Sequence, residues 1–452
     1  MEITTAIIIG AVVLILFLLS GMPLGFAFGL GAVVMALLGG VSIGAGISRG
    51  FDSLLSEPLL AIPFFILAGD LMQKGHLSKY LLDFSSFLLG RFRGTLGHVM
   101  IITMAFFGAI TGSAVATVAA IGSFMIPRMV EEGYDIRYAA TLAAFGGMLG
   151  PIIPPSIGLI IYGYLANESV AALFLGSLIP GIILAIAYMT VHYFYFPRWY
   201  TKPKSADTEI VLGRGKMRDQ MRVGTRSFIV AIPALIMPVM ILGGIFSGIV
   251  TATEAGALSA TYALLMGLFV YRGLKIKDLP RLLKESANTV AALFIIIAVV
   301  QGVNWVFQTA GLPEKLAHLA TAFSPSVYVI MFLIMVIYLF LGCWFDPISI
   351  LLIMVPLFVP LVKAVGINLI HFGVFTGVAV CAAVVTPPMA ADLFVAARMT
   401  GLRQDQLYRP LLPFFFFAVL PVTIATMFFP QIYMWLPIKV FGAALIGGGW
   451  KM

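Results

Sequence analysis

Apolar stretches long enough to cross a lipid bilayer recur along almost all of this 452-residue sequence. They do not alternate between apolar and polar residues, so they predict membrane helices rather than transmembrane β-strands. Hydrophobic residues make up 61% of the chain and charged residues only 10%, whereas about 25% of the residues in soluble domains are charged. The sequence therefore predicts an all-α polytopic membrane protein and excludes a soluble enzyme.

Most of these stretches have the length of a single membrane span. The predicted spans lie near residues 2–19, 22–40, 57–74, 136–165, 170–196, 227–247, 252–271, 288–307, 369–398 and 410–430. Two other stretches, about 95–128 and 325–362, are too long for one upright helix and carry Gly, Pro or Asp near their centres. Each is predicted to form a re-entrant helical hairpin, which enters the membrane and returns to the same side.

Basic residues predict the orientation of the chain. The longest polar segment, residues 198–226, contains eight Lys and Arg residues and three acidic residues. Because cytoplasmic loops of membrane proteins are enriched in Lys and Arg, we expect this segment to be cytoplasmic. With that orientation, 22 of the 27 basic residues lie on the cytoplasmic side and both termini are periplasmic. The net charge of +8 is then a consequence of topology and does not indicate a nucleic-acid site.

The sequence contains an internal repeat. A shift of 233 residues aligns Gly69 with Gly302, Pro127 with Pro360, Gly133 with Gly366, and Pro154-Pro155 with Pro387-Pro388. An odd number of predicted spans separates the matched segments, so the two copies have opposite orientations in the membrane. Inverted repeats are typical of secondary transporters, whose binding site lies near the bilayer midplane where the copies meet.

Four predicted membrane segments are interrupted by Gly, Pro or polar residues. The interruptions are residues 111–113 and 342–347 at the two hairpin tips, and residues 146–156 and 385–388 in two broken helices. Proline removes a backbone donor and clashes with the carbonyl four residues earlier, which frees carbonyl oxygens in the preceding turn. Such oxygens and the hydroxyls of Ser and Thr suit an alkali cation, while helix N-termini suit an anion. Each repeat thus predicts one cation site, with an anionic substrate between the two.

Acidic residues within membrane segments are costly and usually functional. Asp346, at the second hairpin tip, is predicted to cap the following helix while remaining accessible to the site. Asp392, beyond the second interruption, faces either the cavity or a basic residue such as Arg398. Glu254 is predicted to lie in the first turn of a scaffold helix, and His371 is predicted to be a structural residue.

The residues at the interruptions resemble those of one transporter family. The matching segments are residues 111–127, 132–135, 150–156, 253–255, 345–348, 371–373, 386–388 and 393–396. These segments occur in the family's order and cover most of the chain. On these residues, the sequence resembles the large permease subunit of tripartite ATP-independent periplasmic (TRAP) transporters.

The resemblance implies a sodium-driven importer of organic anions in the bacterial inner membrane, with an elevator mechanism. It also implies two partners, a periplasmic substrate-binding protein and a small membrane subunit, and two sodium sites. Sodium ligands are expected, by this resemblance, at Gly108, Thr111, Gly147, Gly150 and Pro151, and at Gly342, Ala383, Thr386 and Met389. The residues expected to face the substrate are Ser113, Thr117, Ser156, Asp346 and Asp392.

The predicted organisation alternates between scaffold and transport segments. Scaffold helices with an interfacial arm at 77–89 occupy residues 1–94, and the first hairpin and broken helix form a transport half at 95–168. Residues 169–324 hold scaffold helices, the basic loop and a second arm at 274–286. The second transport half is predicted at 325–400, and a C-terminal scaffold helix and tail at 401–452.

The predicted function has alternatives. A dicarboxylate, sugar acid, keto acid or sulfonate would suit the small cavity, and Thr117, Ala390 and Asp392 depart from the family's usual residues there. A sodium symporter of related architecture could also work without a binding protein. An intramembrane enzyme would need an acid–base or nucleophile pair at one depth, and a channel would need a continuous polar lining. The sequence shows no such pair, and the inverted repeat disfavours a channel.

Overall fold

The computed structural model describes residues 2–75, 77–89, 94–201, 217–324, 326–388 and 390–442. The described part of the chain is helical, with one isolated antiparallel bridge between Tyr134 and Tyr200. The sodium ligand predicted at Met389 and residues 202–216 of the basic loop lie outside the described residues.

The first half of the chain forms eleven α-helices. They are α1 (Ile3–Leu19), α2 (Leu24–Gly39), α3 (Ile43–Leu54), α4 (Glu57–Lys74), α5 (Leu77–Leu89), α6 (Thr95–Thr111), α7 (Ala114–Glu131), α8 (Ile136–Gly147), α9 (Leu149–Ile152), α10 (Ile157–Ala166) and α11 (Val170–Tyr195). Helices α6 and α7 pack together as a hairpin, and α8, α9 and α10 form a broken helix with a bend of 41°.

The second half forms the same order of elements. They are α12 (Met217–Phe246), α13 (Ala252–Leu265), α14 (Leu279–Thr309), α15 (Leu312–Phe323), α16 (Val327–Gly342), α17 (Pro347–Ala364), α18 (Leu369–Ala383), α19 (Ala391–Thr400), α20 (Tyr408–Phe414), α21 (Leu420–Phe428) and α22 (Gln431–Phe441). Single π-helical turns extend α13 and join α20 to α21. By length and composition, six helices could cross a membrane, or up to eight when two bent pairs count as spans.

The offset of 233 residues relates the helices of the two halves. Added to the bounds of α7, it gives residues 347–364, which are the bounds of α17. It also pairs α6 with α16, α8 with α18 and α10 with α19, within a few residues. The repeat predicted from a few Gly and Pro residues therefore extends to the helical elements of both halves.

The repeat also corrects the predicted arms. The arm at residues 77–89 is the helix α5, but its partner at the same offset is α15, which the sequence analysis missed. The segment predicted as the second arm, residues 274–286, instead leads into the single long helix α14. In the first repeat the equivalent chain is bent by 58° between α3 and α4. There, Pro58 lies in the first turn of α4, where proline favours a new helix start.

Helix starts are determined by local side chains. Thr251 and Glu254 form a reciprocal capping box that begins α13, which agrees with the predicted first-turn role of Glu254. Asp135 caps α8 and forms an ion pair with Arg137, and the hydrogen bond from Arg137 lowers the pKa of the Asp135 carboxyl group. The Asp135 N–H also donates to the Trp199 carbonyl at 2.8 Å, which anchors the start of the basic loop beside α8.

The two hairpins and the two broken helices pack as one body. Helix α19 contacts α7 and α8 of the first repeat, and α10 contacts α17 and α18 of the second. Tyr162 on α10 donates a hydrogen bond to the Leu369 carbonyl at 2.7 Å, at the start of α18. Every residue from Tyr138 to Gly147 is buried, so α8 lies deep inside this body.

A tyrosine–histidine hydrogen bond recurs at equivalent positions of the repeats. The Tyr138 hydroxyl lies 2.8 Å from His192 Nδ1, which joins α8 to α11. In the second repeat, His371 replaces Tyr138 at the offset of 233 and its Nδ1 lies 2.5 Å from the Tyr433 hydroxyl on α22. These pairs join each broken helix to the helices that follow it, in agreement with the predicted structural role of His371.

Candidate functional site

The first hairpin tip lies against the first helix break. Gly112 follows the last residue of α6 with φ of 61°, in the left-handed region that glycine adopts readily. A Cβ atom on Gly112 would lie 2.6 Å from the Pro155 carbonyl oxygen. Ser113 then caps α7, accepting a hydrogen bond from the Ala116 N–H at 3.4 Å. The tip therefore approaches residue 155 so closely that a side chain at position 112 does not fit.

Three oxygen atoms gather beside this contact. The hydroxyls of Thr111 and Thr117 lie 3.2 Å apart, and the Thr117 hydroxyl donates to the Ser113 carbonyl at 2.7 Å. Gly150 faces this group without a side chain, since a Cβ atom there would lie 2.9 Å from the Ser113 oxygen and 3.0 Å from Thr117 Oγ1. The structure thus brings hydroxyl and carbonyl oxygens against bare backbone, a combination that fits a hard cation.

Glycines hold the hairpin and the broken helix together at this point. A Cβ atom on Gly108 would lie 2.4 Å from Gly150 Cα, and one on Gly147 would lie 3.1 Å from the Ala114 carbonyl oxygen. The contacts join α6 to the chain after α9, and α7 to the end of α8. This close backbone approach explains why glycines occur at these positions of two adjoining elements.

The first break is closed by its own hydroxyl. Helix α9 ends at Ile152, and the Pro154-Pro155 peptide bond is cis. Ser156 caps α10 by accepting a hydrogen bond from the Leu159 N–H at 3.2 Å. Its hydroxyl also donates to the Pro151 carbonyl at 2.5 Å. In this conformation the Pro151 carbonyl, predicted as a sodium ligand, therefore already accepts a hydrogen bond.

Asp346 at the second hairpin tip is a helix cap. Its carboxylate accepts hydrogen bonds from the N–H groups of Ile348 and Ser349 at 3.0 and 3.2 Å, and from the Ser349 hydroxyl at 2.5 Å. These bonds satisfy orphan donors in the first turn of α17, and Pro347 starts the helix without needing an N–H partner. The capping role predicted for Asp346 agrees with this geometry.

The second tip approaches the second break in the same way as the first. A Cβ atom on Gly342 would lie 2.2 Å from Ala383 Cβ, and 2.6 Å from the Ala383 carbonyl carbon. The Cys343 thiol donates to the Pro387 carbonyl at 3.1 Å. The sequence analysis gave Cys343 no role, because a lone cysteine in an apolar stretch carries no pattern that indicates this contact.

The second break places Thr386 and Asp392 differently. The Thr386 hydroxyl donates to the Ala382 carbonyl at 3.0 Å. Asp392 is buried in the first turn of α19, and its Oδ2 has no hydrogen-bond partner. Arg398 is exposed, and the ion pairs between described residues do not join it to Asp392. Of the two predicted orientations of Asp392, pairing with Arg398 is therefore absent from this structure.

The structure brings together most of the predicted site residues. The first cluster, around the first tip and break, contains Gly108, Thr111, Ser113, Thr117, Gly147, Gly150, Pro151 and Ser156. The second cluster, around the second tip and break, contains Gly342, Ala383 and Thr386, with Cys343 added. Among described residues, no three His, Cys, Asp or Glu side chains group as metal ligands. The oxygens on offer are carbonyls and hydroxyls, which suit an alkali cation.

Comparisons with known proteins agree with this architecture. Residues 11–432 match the family model described as tripartite ATP-independent periplasmic transporter, DctM component. The sialic acid TRAP transporter large permease protein SiaM of Vibrio cholerae is 34% identical over 425 residues, which are 93% of this chain and 96% of that protein. The C4-dicarboxylate TRAP transporter large permease protein DctM of Pseudomonas aeruginosa is 33% identical over 90% of this chain and 92% of its own length.

Two further similarities extend the comparison. The isethionate TRAP transporter permease protein DctMQ of Oleidesulfovibrio alaskensis is 34% identical over 93% of this chain, which corresponds to 64% of that longer protein. The crystal structure of the YdaH transporter of Alcanivorax borkumensis has a TM-score of 0.58 and covers 87% of this chain and 88% of its own. At 15% sequence identity, that similarity concerns the fold alone.

Proposed function

The chain belongs to the DctM component family, the large permease subunits of tripartite ATP-independent periplasmic (TRAP) transporters, and from this membership we propose that it imports a small organic anion together with sodium ions. It is a multi-span protein of the bacterial inner membrane and not an enzyme. We propose that a periplasmic binding protein delivers the anion and that a small membrane subunit assembles with this chain. Its relatives carry the names of permeases for sialic acid, isethionate and C4-dicarboxylates, which are all organic acids.

The observation that carries this proposal is the pairing of each hairpin tip with a helix break in one body. Backbone at membrane depth that is not helical is tolerated only where protein or a cavity receives it. Here two such places occur, at Gly108 with Gly150 and at Gly342 with Ala383. An inverted-repeat transporter needs this arrangement to bind ions and substrate between its halves.

We propose one sodium site in each cluster. In the first, Thr111, Thr117 and the Ser113 carbonyl supply oxygens close together. In the second, the carbonyls around Ala383 and the Thr386 hydroxyl are the matching groups. The half-helices that begin at Ser156 and at Ala391 add positive dipole ends near the breaks, which would attract a substrate carboxylate or sulfonate.

We propose that the body formed by hairpins and broken helices moves against the remaining helices. Gly69 on α4 contacts Thr111 at the first tip, where a Cβ atom would lie 3.0 Å from Thr111 Cγ2. A small residue there permits one surface to slide along the other. Helix α11 packs on α6 and α18, and α21 packs on α18, so we place these helices with the moving body rather than the scaffold.

The test is uptake by sealed vesicles that contain this chain and its small membrane subunit. With the binding protein outside and an inward sodium gradient, the vesicles should accumulate the organic acid that the binding protein carries. Replacing sodium with choline should reduce uptake to that of empty vesicles. Uptake unchanged in choline contradicts sodium coupling. Uptake that needs sodium but not the binding protein supports the alternative, a binding-protein-independent symporter.

Sodium ligation by hydroxyls is tested by removing them without changing side-chain shape. Thr111→Val and Thr386→Val should each raise the sodium concentration for half-maximal uptake by about tenfold, because each loses one oxygen that binds a cation. The matched controls are Thr103→Val on α6 and Thr400→Val on α19, whose hydroxyls donate to Val99 and Ala396 carbonyls away from the breaks. Equal effects in test and control variants would contradict the proposed ligands.

A further inference from the structure

A polar cavity of about 240 Å³ lies apart from both clusters. It is lined by Arg49, Asp52 and Ser53 on α3, by Tyr164 on α10, and by Gln301, Asn304, Trp305 and Gln308 on α14. None of the residues predicted to bind sodium or substrate lines it. The proposed function leaves this concentration of polar side chains unexplained.

The cavity lies at the border between the scaffold and the moving body. Helices α3 and α14 pack together as scaffold, whereas Tyr164 belongs to a broken helix. The Asn304 Nδ2 group donates to the Leu352 carbonyl of α17 at 3.1 Å, so the cavity wall also joins the second hairpin. A ligand held here would contact both parts of the protein.

Arg49 supplies a positioned positive charge. Its guanidinium carbon lies 4.1 Å from the centre of the Trp305 ring, and its Nη1 donates to the Gln308 amide oxygen at 3.5 Å. No ion pair between residues in the described ranges includes Arg49. Guanidinium groups bind carboxylates through two parallel hydrogen bonds, so a carboxylate is the natural ligand of this cation.

Two buried polar atoms of the cavity lining have no partner. Asn304 is only 2% exposed, and its Oδ1, an acceptor, has no hydrogen bond. The Trp305 Nε1–H, a donor, is also buried without one. Buried polar atoms almost always have partners, so this pair indicates a ligand with both a hydrogen-bond donor and an acceptor. A carboxylate alone offers only acceptors, whereas a hydroxyl group supplies the missing donor.

We propose that this cavity is a second binding site for a hydroxylated monocarboxylic acid, of the sugar-acid class. The carboxylate binds Arg49 and the Trp305 N–H, and ligand hydroxyls donate to Asn304 Oδ1 and to the Asp52 carboxylate. Asp52 also repels a second carboxylate, so dicarboxylates are disfavoured. The assignment deepens the proposed function, since it names a substrate class, but binding at this site is measurable without transport.

The test is binding to the purified chain with its small membrane subunit, in lipid nanodiscs and sodium-free choline buffer. The probes are gluconate and glucuronate, with hexanoate as the acid without hydroxyls and succinate as the dicarboxylate. Calorimetry should give at least about tenfold tighter binding of a hydroxylated acid than of either control, because the site's buried acceptor stays unpaired with hexanoate. Equal binding of all four acids, or no binding of gluconate and glucuronate, overturns the proposal.

Variants locate the binding. Arg49→Gln should weaken the hydroxylated acid by about tenfold or more, through loss of a charge-assisted hydrogen bond. Trp305→Phe keeps the ring under Arg49 and removes only the N–H, so it should weaken binding several-fold without lowering the melting temperature. Lys315→Gln removes an exposed charge outside the cavity and should change nothing. Unchanged affinity in both cavity variants would place the ligand elsewhere. Failure of sodium-driven uptake would refute the proposed function and leave this result intact.

Discussion

Replacing Gly108 with alanine is expected to abolish sodium-driven uptake while the protein still inserts in the membrane. The new Cβ atom would lie 2.4 Å from Gly150 Cα and 2.8 Å from Gly150 N. Both neighbours are backbone atoms, so no side-chain rotation relieves the clash, and the first hairpin must move away from the broken helix. Overpacking of this kind costs about 1–3 kcal/mol, which corresponds to about 5- to 150-fold in sodium affinity.

The measurement is initial uptake at several sodium concentrations, together with membrane abundance and melting temperature. The matched control is Gly122→Ala in the same hairpin, where the nearest atoms, the ends of Ile126 and Met399, lie 3.4 Å from the new Cβ. Because alanine favours helix by about 1 kcal/mol over glycine, the control should retain uptake and melt no lower. Uptake by Gly108→Ala equal to that of the control would show that α6 and Gly150 are apart in the working protein.

Gly342→Ala is expected to cause a similar loss at the second tip. Its Cβ would lie 2.2 Å from Ala383 Cβ, and 2.6 and 2.7 Å from the Ala383 carbonyl carbon and Cα. The added methyl group therefore pushes α16 away from the end of α18, where the second sodium site is proposed. Uptake should fall to the background of empty vesicles, as measured with the same assay.

A double variant separates backbone clash from side-chain clash. Adding Ala383→Gly removes the contact between the two methyl groups but leaves the two backbone atoms within 2.7 Å, so it should not restore uptake. Gly158→Ala is the control, because its nearest neighbour at 3.3 Å is the flexible end of Leu351. Full rescue by the double variant would mean that only the methyl groups meet, and that the backbones are not in contact.

The sequence predicted the positions of the helix interruptions well, because their causes are local. Proline lacks an N–H, a Ser or Asp cap satisfies donors within three residues, and Gly112 can adopt a positive φ. Ser113, Ser156 and Asp346 act as caps in the structure, as such residues do before helices. The offset of 233 residues was also visible in the sequence, since Gly and Pro mark the same turns in both copies.

Other elements escaped the sequence analysis for physical reasons. Helix α15 is short and amphipathic, so an apolar stretch of membrane length does not mark it. The long helix α14 replaces two bent helices of the first repeat, and only the absence of a proline equivalent to Pro58 distinguishes them. The polar cavity around Arg49 brings together residues more than a hundred positions apart, which no local pattern can reveal.

By itself, the sequence determined a helical membrane protein, two copies of one helical order, and four places where helices stop. Those properties follow from residue polarity and from backbone chemistry over a few residues. Only the tertiary structure decided that Gly108 meets Gly150, that Gly342 meets Ala383, and that Asp392 is buried away from Arg398. Such contacts depend on how distant helices pack, and close packing leaves no trace in either partner's local sequence beyond the presence of small residues.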